Sequence, residues 1–195
     1  MAGTPNTANI FVGAPDRLTS GAILVAPAGT AVPTDIVTAP NVAFKDLGYI
    51  SEDGLSIAQS STWETIRDWG GDQVRKFLSD FTGTLNFAML ETNTNVLEFV
   101  YGSANVTTTA ATVSTGTLQA VKLNAVEPGR SELVANILDG PRKVRIVAAN
   151  CQVTERTDLS FSKNAAIEHG VTVETYPDSS GNSIYLYTDD GVFSA

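Results

Sequence analysis

The sequence is poor in the residues from which most enzymes and metal sites are built. Its 195 residues include one cysteine, Cys151, and one histidine, His169. A single cysteine excludes an internal disulfide, and this pair cannot supply the four ligands of a structural zinc site. Histidine, the commonest general base, is almost absent. We therefore predict that the protein has no metal, no cofactor and no enzymatic activity.

Charged residues and long apolar runs are also scarce. Charged side chains make up 17% of the chain, below the roughly 25% of a typical soluble domain. They comprise 12 basic and 21 acidic residues, a net charge of −9, which argues against a protein that grips nucleic acid. The longest apolar run, at about 22–28, contains Pro27 and is far shorter than the ~20 residues that span a bilayer. The N-terminus has no secretory signal pattern, so we predict no membrane segment and a reducing cytoplasm as the site of synthesis.

What the sequence does contain is the alternation of apolar and polar residues that indicates a mainly β protein. In the segment 81–89 the apolar side chains share one face of a predicted strand. Residues 171–176 and 183–188 also alternate and flank a segment rich in turn formers, 177–182, which predicts a β-hairpin. Further strands are predicted at 22–26, 44–50, 74–79, 117–123 and 142–153.

One segment breaks this alternation and predicts a short helix at about 92–101. Its apolar residues form a helical stripe, Thr92 or Asn93 is a suitable N-cap, and Gly102 is a suitable C-terminal stop. Such a short helix is marginal alone and must pack on a sheet. No change of composition marks a domain boundary, so we predict an N-terminal arm at 1–20 and a single β-sandwich domain over 21–195.

The acidic pairs in the sequence are typical of solvated turns. Glu52 with Asp53, and Asp189 with Asp190, each adjoin a glycine. Catalytic carboxylates normally lie on different elements that converge in a cleft, so neighbours in one turn indicate little. Asp178 and the second pair are candidate calcium ligands, but the spacing of an EF-hand loop is missing.

The single histidine, the single cysteine and a basic cluster also have simple interpretations. His169 precedes a glycine in a polar turn, which favours a surface position. Cys151 lies within a predicted strand and is interpreted as a small core or interface residue. Arg142, Lys143 and Arg145 lie on one strand and suggest either an edge protected from wrong pairing or a salt-bridged contact between subunits.

Both tryptophans, Trp63 and Trp69, lie in a polar region with charges of both signs. Tryptophan, tyrosine and arginine are favoured as buried anchors of protein interfaces. The alternative is that both tryptophans are core residues of two strands. We interpret the region as a contact between subunits, and the candidate residues are Glu52, Asp53, Trp63, Glu64, Arg67, Trp69, Arg75, Arg142 and Arg145.

Several segments together resemble one protein family. They are DLGYISEDGL at 46–55, WETIRDWG at 63–70, QVR at 73–75, FAMLETN at 87–93 followed by YG at 101–102, and YPD with GNSIY at 176–185. In this order they resemble the major tail protein, or tail tube protein, of long-tailed siphovirus-type bacteriophages, in the form found in phages of actinobacteria. The resemblance covers about residues 20–190.

The resemblance implies a β-sandwich or barrel-like tail tube fold with one flanking helix. Six copies would form a ring, and rings would stack into a tube around a tape-measure protein, with tail terminator and tail-tip proteins at its ends. A long loop, here at about 52–76, would reach the neighbouring ring. Genomic DNA would pass through the lumen as transient cargo, and the protein would be made in the host cytoplasm and reside in the virion tail.

The acidic composition is consistent with such a conduit. A lumen rich in lysine or arginine would hold DNA through its phosphates, so we expect lumen-facing positions to be acidic, serine or threonine. Two other functions stay open from the sequence. One is a virion decoration or carbohydrate-binding module, with Tyr176, Tyr185 and Tyr187 as an aromatic platform. The other is an enzyme with an unrecognised site.

Overall fold

The computed structural model describes residues 10–16 and 22–192. In these ranges the chain forms eleven strands and one α-helix, which confirms the predicted mainly-β class. The elements are β1 (Ala14–Pro15), β2 (Ile23–Pro27), β3 (Lys45–Asp46), β4 (Ser56–Arg67), β5 (Gln73–Met89), α1 (Thr94–Tyr101), β6 (Val106–Thr109), β7 (Leu118–Val121), β8 (Ser131–Asp139), β9 (Arg142–Arg156), β10 (His169–Thr175) and β11 (Tyr185–Asp189).

Nine of the strands form one antiparallel sheet. Its order is β3-β2-β8-β9-β10-β5-β4, with β1 added to β8 and β11 added to β9. The strands β6 and β7 form a separate two-stranded sheet. Of the predicted N-terminal arm at 1–20, only 10–16 is described, and β1 within it pairs with β8.

A short segment around β3 closes the sheet into a barrel-like shape. At its start the amide of Leu47 donates to the carbonyl of Ile23 in β2, at 3.1 Å. A few residues later Ile50 forms a β-bridge with Met89 in β5. The segment therefore links two strands from opposite halves of the sheet order. Side chains from β2, β5, β8, β9 and β10 consequently pack into one hydrophobic cluster.

The helix α1 covers this cluster on one side. The side chain of Asn93 accepts a hydrogen bond from the amide of Val96 at 3.0 Å, and Gly102 ends the helix with a φ of 85°. Both residues therefore have the capping roles predicted from the sequence. Phe99 stacks on Phe87 of β5 with ring centroids 6.3 Å apart, which fixes the helix on the sheet. With eight residues, α1 is far shorter than a membrane span. No helix in the described part of the chain is long and apolar enough to cross a membrane.

The prediction that strands 171–176 and 183–188 pair with each other as a hairpin is wrong. Both strands exist, as β10 and β11, but each pairs with β9, and they occupy different parts of it. The turn between them is present, since the Asp178 carboxylate accepts from the amides of Ser180 and Asn182. β9 has fifteen residues and is long enough to pair with both strands in succession. The alternation of apolar and polar residues indicates which face of a strand is buried, but it does not indicate which strand is the partner.

Three other regions differ from their predicted structure. The segment expected as a long loop at about 52–76 contains β4, a tight turn and the start of β5. The strands predicted at 74–79 and 81–89 are one continuous strand of seventeen residues. His169 is buried rather than at the surface, with 5% of its area exposed, because α1 and the strands around it cover the end of β10.

Candidate assembly surfaces

The strands β4 and β5 extend well beyond the rest of the sheet. They pair along their whole length, from Ser56 opposite Asn86 to Arg67 opposite Gln73. β5 pairs with β10 only from Gly83 onward, and every residue of β4 is exposed. The twelve residues of β4 span about 40 Å at the usual strand rise. We call residues 56–82 the projecting hairpin.

The tip of the projecting hairpin is a well-defined turn. The amide of Asp68 donates to the carbonyl of Asp72 at 2.9 Å, and the amide of Asp72 donates back to the Asp68 carboxylate at 2.8 Å. Gly71 has a φ of 93°, and its carbonyl accepts from the Arg67 guanidinium at 2.9 Å. These bonds fix the backbone of the turn, so Trp69 is held at the tip with its side chain fully exposed.

One side of the projecting hairpin carries a row of apolar side chains. The register places Trp63 opposite Leu78, and alternation along β5 places Phe81 on the same side as the buried Leu85. Trp63, Leu78 and Phe81 are 53%, 46% and 42% exposed. The ammonium group of Lys76 lies 5.7 Å from the centre of the Trp63 ring. This apolar row, Trp63, Leu78 and Phe81, continues the core side of the sheet into solvent.

Over residues 56–62 and 80–86 the opposite side of the same strands is almost entirely polar, whereas nearer the tip it carries Phe77 and Ile66. The register aligns Ala58, Thr84 and Glu174 in one row across three strands, and Ser56, Asn86 and Thr172 in the next. These positions alternate with the buried Leu85 and Val173, so they face away from the core. We call this side the polar face, and its members are Ser56, Ala58, Ser60, Thr62, Asp80, Thr82, Thr84, Asn86, Gln152, Glu155, Thr172 and Glu174.

The polar face includes three acidic residues, and none of its twelve members, all within the described chain, is basic. Beyond the β9 margin, Arg130 stacks on Tyr176, with its guanidinium carbon 3.9 Å from the ring centre, and donates to the side chain of Asn150 at 3.0 Å. Toward the tip, Arg75 lies on the same side of the hairpin, opposite Ile66. Basic groups therefore border this surface rather than occupy it.

The structure brings five of the nine candidate contact residues together on the projecting hairpin. These are Trp63, Glu64, Arg67, Trp69 and Arg75. Glu52 and Asp53 are exposed in the turn that immediately precedes β4, where the amide of Gly54 donates to the carbonyl of Ser51. The predicted solvated turn is therefore confirmed, and these two acids lie at the base of the hairpin.

The remaining two candidates make contacts within the subunit. Arg142 donates to the carbonyl of Ile10 at 3.0 Å, forms an ion pair with Asp139 at 3.3 Å, and lies over the ring of Phe11. It therefore fastens the segment 10–16 to the hairpin formed by β8 and β9.

Arg145 is buried, with 7% of its area exposed. Its Nε donates to the side chain of Asn136 at 2.8 Å, and its Nη1 donates to the carbonyls of Asp35 and Thr38 at 2.9 and 2.6 Å. Burial lowers the pKa of this guanidinium, while the charges of Asp35 and Asp16 act in the opposite direction. Arg145 thus binds the turn at 35–38 to the sheet.

Two buried titratable groups, Cys151 and His169, have shifted pKa values. Burial raises the pKa of Cys151 to about 12, with a further contribution from Glu132, and the thiol donates to the carbonyl of Ser131. His169 is near Thr92, at 3.1 Å between Nε2 and Oγ1, and burial lowers its pKa. Over residues 10–16 and 22–192, no three His, Cys, Asp or Glu side chains are grouped as a metal site requires.

Sequence reasoning found the tryptophan-containing region but missed two parts of the surface. Leu78 was not singled out, and Phe81 was only grouped with the other apolar side chains of 81–89 on one face of a strand. The signal for Phe81 was present, because alternation in β5 continues to it past the last buried residue, whereas Leu78 joins this side through the bulge opposite Thr62 and Trp63. What the sequence did not show is where the body of the molecule ends along this strand.

Several solved structures are similar to the chain in overall comparison. One is in the virion of a native gene transfer agent particle, with 10% identity, a TM-score of 0.40, and coverage of 86% of this chain and 95% of that chain. Another is in the tube-terminating cap of the anti-feeding prophage, with 15% identity, a TM-score of 0.42, and coverage of 97% and 100%. A third is in the sheath-tube complex of an extracellular contractile injection system, PVC, in the extended state, with 12% identity, a TM-score of 0.39, and coverage of 95% and 100%.

No curated protein sequence matches the chain. A family model does match, and its description is phage tail tube protein. The match runs from residue 5 to residue 194, which is nearly the entire sequence. The chain therefore belongs to the phage tail tube protein family, and is a structural component of a virion.

Proposed function

We propose that six copies of this tail tube subunit close into a ring, and that rings stack into the conduit through which a phage genome is ejected. We place it in a long, flexible tail of the siphovirus type, in a phage of actinobacteria. The observation that carries the proposal is the projecting hairpin, which is regular and hydrogen-bonded yet exposed on both sides in the single chain. Such an element is explained most simply by neighbouring copies that cover it.

The hairpin suits contacts between rings. A tube needs two heterologous interfaces, one that closes around the ring and one that stays open along the axis. Beyond the part of β5 that pairs with β10, residues 60–67 of β4 extend about 26 Å from the rest of the sheet, and the hairpin presents Trp63, Glu64, Arg67, Trp69 and Arg75 along its length. Arg142 and Arg145 contribute indirectly, because they hold other segments of the subunit in place.

The outer edge of β4 suits contacts within a ring. Among the described residues β4 pairs only with β5, so one side of a twelve-residue strand has free backbone donors and acceptors. Such an edge promotes aggregation in a monomeric protein. In a ring it would pair with the sheet of the next subunit and become part of a continuous wall.

The polar face suits the lumen of the tube. Hydroxyl, amide and carboxylate groups give DNA phosphates no cation to bind, so DNA would slide along such a wall. In this arrangement DNA is transient cargo, and the tape-measure protein occupies the same space during assembly. Tail terminator and tail-tip proteins would cover the two ends of the tube, and assembly would take place in the host cytoplasm.

The alternative of a carbohydrate-binding module is disfavoured by the tyrosines that suggested it. Tyr185 and Tyr187 stack on each other with centroids 6.1 Å apart and pack against a cluster of Leu24, Val134 and Val147. Tyr176 is covered by Arg130. These rings are part of the subunit's own packing and do not form an open platform.

Electron microscopy of the purified protein over a range of concentrations tests the proposal. We expect rings with six-fold symmetry and stacked tubes at high concentration. Image classes with another symmetry would contradict the hexamer. A protein that stays monomeric at every concentration, also after addition of preformed tail tips, would contradict the assembly altogether.

A further inference from the structure

The single histidine of the chain lies where two strands and the helix meet. His169 is the first residue of β10 and pairs with Met89, the last residue of β5. Its Nε2 lies 3.1 Å from the hydroxyl of Thr92, which directly precedes Asn93, the N-cap of α1. The imidazole therefore links the start of β10 to the start of α1. We call this contact the α1–β10 junction.

The other ring nitrogen of His169 has no partner. Nδ1 is buried, and no hydrogen-bonding atom of the described residues reaches it. A neutral imidazole has one N–H and one bare nitrogen, so Nε2 can bond to Thr92 in either tautomer. A protonated ring has a second N–H, which here would be a buried donor without an acceptor, together with a buried positive charge. The junction thus accepts the neutral ring and disfavours the cation.

The charged side chains around the junction do not balance such a cation. The Glu91 carboxylate, after β5, accepts from two amide groups. Glu98 of α1 forms an ion pair with a lysine of β3, and Arg156 at the end of β9 donates to a carbonyl of α1. Burial is accordingly the cause of the lowered pKa of the imidazole. Three further acids at this end of β9 and β10 are exposed to solvent, namely Glu155, Asp158 and Glu168.

We propose that His169 is an acid-sensitive switch whose protonation releases the start of α1 from β10. The second proton turns Nδ1 into a donor that the closed junction cannot satisfy. Opening of the junction brings the imidazolium into water, which accepts from both N–H groups. The N-terminus of a helix carries a partial positive charge, so a cation beside Thr92 is disfavoured for this reason as well.

The direction of the pH effect follows from the lowered pKa of His169. The closed junction binds a proton less tightly than the open one, in which the imidazole has its ordinary pKa of 6.5. The contribution of His169 to closure is complete above this value and is lost as pH falls through the lower pKa of the closed state. Between the two values the equilibrium constant for opening rises by up to about tenfold for each pH unit, because one proton is taken up.

Release of α1 would uncover one defined part of the core. Its buried residues are Val96, Leu97, Phe99 and Val100, and Phe99 stacks on Phe87 of β5. The strands β8 and β9 pair with each other away from the junction, so their hydrogen bonds do not depend on it. Acid should therefore loosen the helix while this strand pair stays closed.

Hydrogen exchange of the unassembled subunit tests the switch. Between about pH 8 and about pH 5, the range in which histidine titrates, we expect the protection factors of the α1 amides to fall several-fold, whereas those of β8 stay high. His169→Gln is the matched variant, because its side-chain amide can still donate to Thr92 but does not titrate. Its α1 amides should show no such fall. Constant protection in the wild type, an equal fall in the variant, or simultaneous loss in α1 and β8 would each overturn the switch.

Nuclear magnetic resonance of the wild type provides a second measurement if His169→Gln does not fold. The chain has one histidine, so the Cε1–H group of its ring gives one signal. We expect the ring to titrate below 6.5 and its signal to broaden as pH falls, because the closed neutral form and the open charged form exchange. A midpoint at or above 6.5, a ring that stays neutral over the same pH range, or titration while the α1 amide signals keep their closed positions would overturn the proposal.

Discussion

At the scale of single residues, Arg145 shows how one buried cation holds a long connection in place. The segment between β2 and β3 has little regular structure, yet its Asp35 and Thr38 carbonyls both accept from Arg145. The Asp35 carboxylate in turn accepts from Val37 and Thr38, and the hydrogen bonds from Thr38 are the main cause of its lowered pKa. The connection is thus ordered by side-chain hydrogen bonds.

Replacing Arg145 should therefore destabilise the subunit. In Arg145→Ala three acceptors lose a charged donor, and we expect the free energy of unfolding to fall by about 3 kcal/mol. Urea denaturation of the unassembled subunit measures this. Lys143→Ala is the control on the same strand, and because this side chain is exposed its loss should change the free energy of unfolding by no more than about 0.5 kcal/mol. Equal losses in the two variants would contradict the role assigned to Arg145.

Glu132 should give the subunit a distinctive pH dependence. Its Oε1 accepts from the amide of Gly29 at 2.6 Å, its Oε2 has no partner among the described residues, and burial raises its pKa. The folded state therefore holds this proton more tightly than the unfolded state. This contribution to stability is complete below the ordinary value of 4.5 and is lost as pH rises through the higher folded value.

Glu132→Gln removes the charge and keeps an acceptor for Gly29. We expect the variant to be more stable than the wild type at neutral pH, with a difference that shrinks as pH falls toward 4.5. Urea denaturation of both proteins between these limits measures the difference directly. His169 titrates in both proteins, so its effect cancels. A difference that does not vary with pH would contradict the raised pKa of Glu132.

At the scale of elements, the tryptophans of the projecting hairpin should affect assembly and not folding. Trp69 is fully exposed and Trp63 about half exposed. We expect Trp69→Ala to change the free energy of unfolding by no more than about 0.5 kcal/mol, as is usual for exposed sites. Negative-stain imaging should show few or short tubes from each alanine variant. Val113→Ala, another exposed apolar site, serves as the control. Tubes of normal length from a stable Trp63→Ala, Trp69→Ala double variant would contradict the role of the hairpin.

Elements with a clear signal in their own sequence were predicted well. The helix was recognised from Asn93, Gly102 and an apolar stripe, and the structure has these caps. The alternating segment 81–89 is a strand with one buried side. In both cases one side of the element is buried and the other is not, and the sequence records that contrast.

Elements without such a contrast were missed. β8 is buried on both sides, so Leu133, Val134 and Ala135 show no alternation, and no strand was predicted there. β4 is exposed on both sides in the single chain and was expected to be a loop. The burial of Arg145 depends on carbonyls more than 100 residues away in the sequence. Local patterns do not carry this information.

At the scale of the whole molecule, the subunit has two different ends, as an assembly that grows along one axis requires. The helix and the main core form one body, and the projecting hairpin leaves that body in one direction. The turn with Glu52 and Asp53 and the tip with Trp69 lie at opposite ends of this hairpin. Copies related by translation along it would match unlike surfaces, which favours a filament over a closed dimer.

The net charge is −9, and the polar face has acidic members but no basic ones. Whether this face lines the proposed lumen can be tested with added lysines. We expect tubes of the double variant Thr84→Lys, Thr172→Lys to retain short DNA duplexes, because two added lysines per subunit place twelve lysines in each ring of six subunits. Binding through 6–10 phosphates weakens about 10³–10⁵-fold between 50 and 200 mM salt, so DNA should co-sediment with these tubes at low salt and be released at high salt.

The control variant Ala111→Lys, Ser180→Lys makes the same change of charge on exposed loops away from the polar face. If unmodified tubes retained DNA, or if both variants retained it equally, the polar face would not line the lumen. Retention by the first variant alone would mean that serine, threonine and acidic side chains keep the path of the genome free of binding sites.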